Sequence, residues 1–303
     1  MKNKIIIFTS ICMLMVSTQV NSQVKKIEST TTIKDKKELY ELGIKNYEGS
    51  EIPRNYKQSI SLLTQSAEQG QVEAQFMLGS IYLKGMAATK NMEKSIQWFK
   101  DSANKGYLPS QYNLGLIYYF GKNETKVNYE EAFKWFELAS KQGSLEALNN
   151  LGTMYMEGKG VSKNYEEALK IYKKIATEEF PEALNNLGVI YYEGYGVDKN
   201  LTEALKLFTL GGNKGFKGSQ YNLAIMNLYG EGVDKNVKQA ARLFYLAAEQ
   251  GHMNAQTQIG IMYSTGEGVN QNNEIAIKWL TKASKQGDKI AIKILKDKYK
   301  KII

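Results

Sequence analysis

Apolar positions recur along this chain in sets spaced by four, and the sets themselves repeat at a nearly constant interval. Ala147, Leu151 and Tyr155 form one such set, and Ala183, Leu187 and Tyr191 another. A spacing of four puts these side chains on one face of an α-helix. A Leu-Gly pair marks each period: Leu42-Gly43, Leu78-Gly79, Leu114-Gly115, Leu151-Gly152 and Leu187-Gly188. Leu223-Ala224, Ile259-Gly260 and Leu295-Lys296 continue the series. Each step is 36 residues, except 37 between Leu114 and Leu151. The glycine beside the leucine predicts close approach of a neighbouring helix. A second glycine, seven residues past the leucine, predicts the helix end at Gly49, Gly85, Gly121, Gly158, Gly194, Gly230 and Gly266.

A second helix is predicted in every period, opening at Asn55, Asn91, Asn128, Asn164, Asn200, Asn236 and Asn272. Asparagine is among the best N-caps because its side chain satisfies an orphan backbone N–H. Gln58, Glu131, Glu167, Glu203 and Gln239 follow three residues later and complete capping-box-like starts. A small residue comes next (Ala132, Ala168, Ala204, Ala240, Ala276), then bulky ones such as Trp98-Phe99, Trp135-Phe136 and Trp279. Small pairs such as Ala247-Ala248 and Ala283-Ser284 precede a closing glycine at Gly70, Gly106, Gly143, Gly215, Gly251 and Gly287. Glu179 is the lone departure.

One helix pair cannot bury its apolar face alone, so such units stack on their neighbours. The expected architecture is an all-α solenoid of antiparallel helix pairs. Seven repeats are read at 35–70, 71–106, 107–143, 144–179, 180–215, 216–251 and 252–287. Residues 288–303 are expected to cap the stack, with Ala291, Leu295 and Tyr299 inward and Lys289, Lys293, Lys296, Lys298, Lys300 and Lys301 largely outward.

The first residues change the picture of where the chain works. Lys2 and Lys4 precede a short apolar run, Ile5 to Val16, and Val20-Asn21-Ser22 ends in a small residue. This is the pattern of a cleavable signal peptide over 1–22, with cleavage near Ser22, followed by a polar linker over 23–34. A secreted or periplasmic location is therefore expected, without stable membrane insertion once the leader is gone. Of the formal net charge of +9, Lys2 and Lys4 carry two, which leaves +7 on the rest. Scattered lysines without a basic stripe argue against nucleic acid as a ligand. Cys12, the single cysteine, lies in the leader, so no disulfide framework is expected.

The period near 36 and the loop Gly-x-Gly-Val point to a family. The loop stands as Gly158-Lys159-Gly160-Val161, Gly194-Tyr195-Gly196-Val197, Gly230-Glu231-Gly232-Val233 and Gly266-Glu267-Gly268-Val269. With Ala247-Ala248-Glu249-Gln250-Gly251-His252, these residues resemble the Sel1-like repeat family, relatives of the tetratricopeptide repeat. The resemblance covers about residues 35 to 303. It implies a right-handed superhelix that serves as a scaffold for protein complexes, often in bacterial envelopes or signalling. The first three repeats depart from the loop at Gly49-Ser50-Glu51, Gly85-Met86-Ala87 and Gly121-Lys122-Asn123, so their turns are expected to differ.

Catalytic readings find little support. The Gly-x-Gly loops lack the Lys-Ser or Lys-Thr of a phosphate cradle. His252 is the single histidine, so neither a zinc site nor a nucleophile-histidine system is expected, and no cofactor is implied. Glu130-Glu131 and Glu166-Glu167 sit where negative charge favours a helix start, and Glu178-Glu179 is a third acidic pair. A cysteine-rich branch of the family has been linked to β-lactam binding and hydrolysis, but its paired cysteines are absent. By resemblance, the positions just before the leucine look toward a concave groove. Asn113, Asn150, Asn186 and Asn222 occupy them, and their carboxamides offer donors and acceptors to a peptide backbone. Tyr112, Tyr119, Phe120, Tyr192, Tyr221 and Tyr229 lie near and offer flat apolar anchors. The alternative for the asparagines is that they bond the next helix. The expected function is a non-enzymatic protein-interaction scaffold holding protein or extended peptide segments. A hydrolase of cell-wall or β-lactam-like substrates and a glycan-binding envelope protein are the alternatives.

Overall fold

The computed structural model describes residues 35–121 and 126–300, so the leader, the linker and Lys301 lie outside the described residues. Fifteen helices are found among them. They pair as α1 (Lys36–Glu48) with α2 (Tyr56–Glu68), α3 (Val72–Lys84) with α4 (Met92–Ala103), and α5 (Leu108–Phe120) with α6 (Tyr129–Lys141). Next come α7 (Leu145–Glu157) with α8 (Tyr165–Ala176), and α9 (Pro181–Glu193) with α10 (Leu201–Asn213). The series ends with α11 (Lys217–Tyr229) and α12 (Val237–Glu249), α13 (Met253–Thr265) and α14 (Asn273–Ser284), and a single α15 (Lys289–Asp297). The fold is all-α, built of seven antiparallel helix pairs plus a C-terminal helix.

Each pair is closed by the asparagine that starts its second helix. All seven Asn side chains accept the backbone N–H three residues on, at 2.9–3.1 Å. The return arm of a capping box is not what the backbone uses. Instead, the Asn N–H donates across the hairpin to the carbonyl four residues past the leucine: Asn46, Tyr82, Tyr118, Tyr155, Tyr191, Asn227 and Tyr263, at 2.7–2.9 Å. With that donor engaged, the carboxylates of Glu131, Glu167 and Glu203 pair with Lys134, Lys170 and Lys206. This closing bond is the same in the first three pairs as in the last four, although their loop sequences differ. Every first helix ends on a left-handed glycine, φ 58–82°.

The glycine beside the leucine lets the two helices of a pair meet. A Cβ at Gly43, Gly79, Gly115, Gly152, Gly188 or Gly260 would stand 2.5–2.9 Å from Leu63, Phe99, Phe136, Tyr172, Phe208 or Leu280. The marker residues from Leu78 to Leu295 are buried, whereas Leu42, in the first described pair, is half-buried.

The chain divides within α5 into two compact units, the first ending at Leu114. In the first, Leu63, Ala67, Ala74, Leu78 and Ile81 form a core that joins the two pairs. Ser66 and Ser102 donate to the carbonyls of Lys36 and Val72, at 2.5 and 2.9 Å. Gln75 and Gln111, both buried, donate to Ala67 and Ala103 at 2.9 and 3.1 Å. The serine bonds tie the second helix to the start of the first helix in the same pair, and the glutamine bonds fix a first helix to the end of the preceding second helix, while satisfying buried polar groups.

In the second unit the same seam runs from Ala168, Tyr172 and Leu187 to Phe208, Phe244 and Trp279. Leu280, Ala283, Ala291 and Leu295 seat α15 on α14. The terminal helix stops at Asp297. Lys298, expected to face outward, is largely exposed, but its ammonium reaches back to the Ser264 carbonyl at 3.0 Å. Tyr299 donates to the Ser264 hydroxyl at 2.8 Å. Glu179 keeps the left-handed backbone of the glycines it replaces, φ 52°, and its carboxylate pairs with Lys214 at 2.6 Å.

Candidate functional site

Within the second unit, the residues before each leucine sit on successive first helices and are half-buried. Asn186 on α9 donates to Asn149 Oδ1 on α7 at 3.0 Å and to the Tyr172 hydroxyl at 3.3 Å. Asn222 on α11 donates to Asn185 Oδ1 on α9 at 2.9 Å. The carboxamides therefore link one first helix to the previous one. The partners Asn149 and Asn185 were not singled out from the sequence, although the tandem Asn-Asn of α7 and α9 was visible there. Asn150 has no side-chain partner among the described residues. Asn113, in the first unit, donates back to Pro109 of its own helix at 2.7 Å. Tyr112 beside it is half-buried.

The aromatics separate into two groups. Tyr119 donates to Glu157 at 3.1 Å, and the Lys159 ammonium lies 5.2 Å from its ring. Tyr192 donates to Glu231 of the next pair. Burial, with the Glu231 carboxylate, pushes the Tyr192 phenol well above its ordinary value. These two tyrosines thus tie loops to neighbouring helices. Phe120 and Tyr229, by contrast, are 56% and 65% exposed, and each stands at the last residue of its helix.

Tyr221 stacks on His252, ring centroids 4.5 Å apart. His252 N-caps α13: its Nδ1 accepts the Ala255 N–H at 3.2 Å, a role that Ser144 and Asp288 fill for α7 and α15. Burial, helped by the positive charge of Lys217, lowers the His252 pKa. Protonation would also take away the acceptor. A folded-state value below the unfolded one gives stability that is complete above about pH 6.5 and lost as the pH falls further. The urea midpoint is expected to drop between about pH 7.5 and about pH 5. His252→Asn, which retains a capping oxygen, should show a smaller drop over that range.

Among the described residues no group of three His, Cys, Asp or Glu side chains could hold a metal ion, and no helix is long and apolar enough to cross a membrane. The sequence profile of the Sel1 repeat matches residues 39–71, 72–107, 108–144, 145–179, 181–216, 218–252 and 254–288. The chain belongs to the Sel1 repeat family.

Sel1 repeats are a non-catalytic interaction fold. Among solved structures, the chain is similar to a protective antigen of uropathogenic Escherichia coli with an SLR fold. The two are 30% identical with a TM-score of 0.70, over 92% of this chain and 59% of the antigen. It is also similar to a Sel1 repeat protein from Oxalobacter formigenes, 28% identical with a TM-score of 0.74, over 86% of this chain and 75% of that one. The yeast Tom70 shares the fold alone, at 16% identity and a TM-score of 0.51 over 90% of this chain and 55% of its own. No curated protein matches the chain.

Proposed function

We propose that this Sel1 repeat protein is a non-catalytic scaffold, exported to the bacterial envelope or beyond, that holds extended segments of a partner protein against its first helices. The leader-like pattern before residue 23 supports export. What carries the binding site is the face of α7, α9 and α11, with the end of α5 at Phe120, in the second unit. There, half-buried carboxamides recur from helix to helix, while Phe120 and Tyr229 stay exposed. Carboxamides suit a peptide backbone, and large exposed aromatics suit side chains that fix its position.

The test uses Asn150 and the exposed aromatics Phe120 and Tyr229. Asn186 and Asn222 join helices, so they are poor probes. Asn150→Ala, Phe120→Ala and Tyr229→Ala should leave the helical circular dichroism and the urea midpoint unchanged. Combined, they should weaken capture of a partner purified from the protein's own cells by at least about tenfold, as expected for hot-spot side chains. Undiminished affinity in the triple variant would place the partner elsewhere.

A further inference from the structure

A cleft of about 560 Å³ opens in the second unit between α10 and α12, over α11. Leu205, Leu223, Leu243 and Leu246 give it apolar walls, and Leu246 is 37% exposed. Its size suits a small group rather than a long segment.

Two features set this cleft apart from the preceding repeats. The first is Gly212, at a position held by Ala67, Ala103, Ser140, Ala176, Ala248 and Ser284 elsewhere. Glycine is the weakest ordinary helix former, and the fold does not require one here. A Cβ at Gly212 would meet its nearest neighbour, Gln220, at an ordinary 3.7 Å. What glycine does at this position is leave the cleft open. The second is Arg242, one of only two arginines in the chain. In the third, fourth and fifth repeats the corresponding cations, Lys134, Lys170 and Lys206, are neutralised by the glutamate three residues before. In the sixth repeat Gln239 replaces that glutamate, and Arg242 has no side-chain partner among the described residues. The side chains of Gln239 and Asn213, which also line the cleft, are unpaired as well.

We propose that the cleft between α10 and α12 binds the carboxy terminus of a polypeptide whose last side chain is apolar. The free guanidinium accommodates a carboxylate through two parallel hydrogen bonds. The leucine walls take the last side chain, and the unpaired carboxamides meet the last peptide group.

Fluorescence anisotropy on the full chain tests this with labelled hexapeptides that differ only in the last residue, each made as free acid and as carboxamide. Free acids ending in Leu, Ile, Phe or Met should bind, and their carboxamides at least tenfold more weakly. Arg242→Gln, a surface change, should abolish the preference for the acid. Gly212→Leu should abolish binding while its circular dichroism stays helical. Phe120→Ala with Tyr229→Ala should leave this binding intact, which separates it from the face of the first helices. The proposal is overturned if no free acid binds at millimolar concentration, if carboxamides bind equally well, if Arg242→Gln keeps the preference, or if dodecanoate binds where no peptide does.

Discussion

Phe208→Ala is expected to lower the unfolding free energy by about 3–5 kcal/mol, the range for truncating a large buried aromatic. Phe208 is 2% exposed and lies against Gly188, where a Cβ would stand 2.6 Å from its ring. Its ring also meets Tyr192 at a centroid distance of 6.4 Å. The pocket that receives it is shaped by a missing side chain at Gly188 and the ring of Tyr192, both on α9, so that wall cannot collapse far into the void. The same residue belongs to the core cluster that carries on to Phe244 and Trp279, so the loss weakens stacking as well as pairing. Urea titration followed by circular dichroism measures it. A loss below about 1 kcal/mol would mean that the ring does not hold the seam.

The second large effect is expected at Gly160. Its φ is +71°, and an added Cβ would run into the backbone carbonyl of Tyr129, at the start of α6. A left-handed backbone costs a non-glycine residue about 1–2 kcal/mol. Overpacking adds about 1–3 kcal/mol, and a rigid backbone cannot give way as a side chain would. Gly160→Ala should therefore destabilise by about 2–5 kcal/mol. Gly143→Ala is the control. It has φ +91°, but no atom lies within 4 Å of its added Cβ. It should cost only the backbone term of about 1–2 kcal/mol, and Glu179 already occupies the corresponding place at φ 52°. Equal midpoints for the two variants would remove the loop-to-helix contact from the account.

Those glycines also show how much of the fold was legible beforehand. The capping asparagines, the helix ends and the close approach at Leu-Gly each depend on one residue type in one place, so a repeat displays them plainly. Features that depend on two residues in different repeats were hidden. The bond of Gln75 to Ala67 and that of Asn186 to Asn149 join positions eight and thirty-seven residues apart. Which polar side chain reaches which carbonyl is set by the packing distance between helices. Capping boxes were expected on spacing alone, but the Asn N–H had a better acceptor across the hairpin, which local sequence does not reveal. Of the candidate site, the positions were correctly placed on the first helices. The division between tying tyrosines (Tyr119, Tyr192) and exposed aromatics (Phe120, Tyr229) emerged only with the helix end that brings Glu157 and the loop that brings Glu231 to the phenols.

The claim that a partner segment lies along the first helices is tested most directly by placing a benzophenone side chain at Tyr229 and, separately, at Lys170 on the outer side of α8, then irradiating in the protein's own cells. The Tyr229 variant should give discrete adducts with a partner protein, and the Lys170 variant none. Adducts from Lys170 alone, or equal adducts from both, would contradict it.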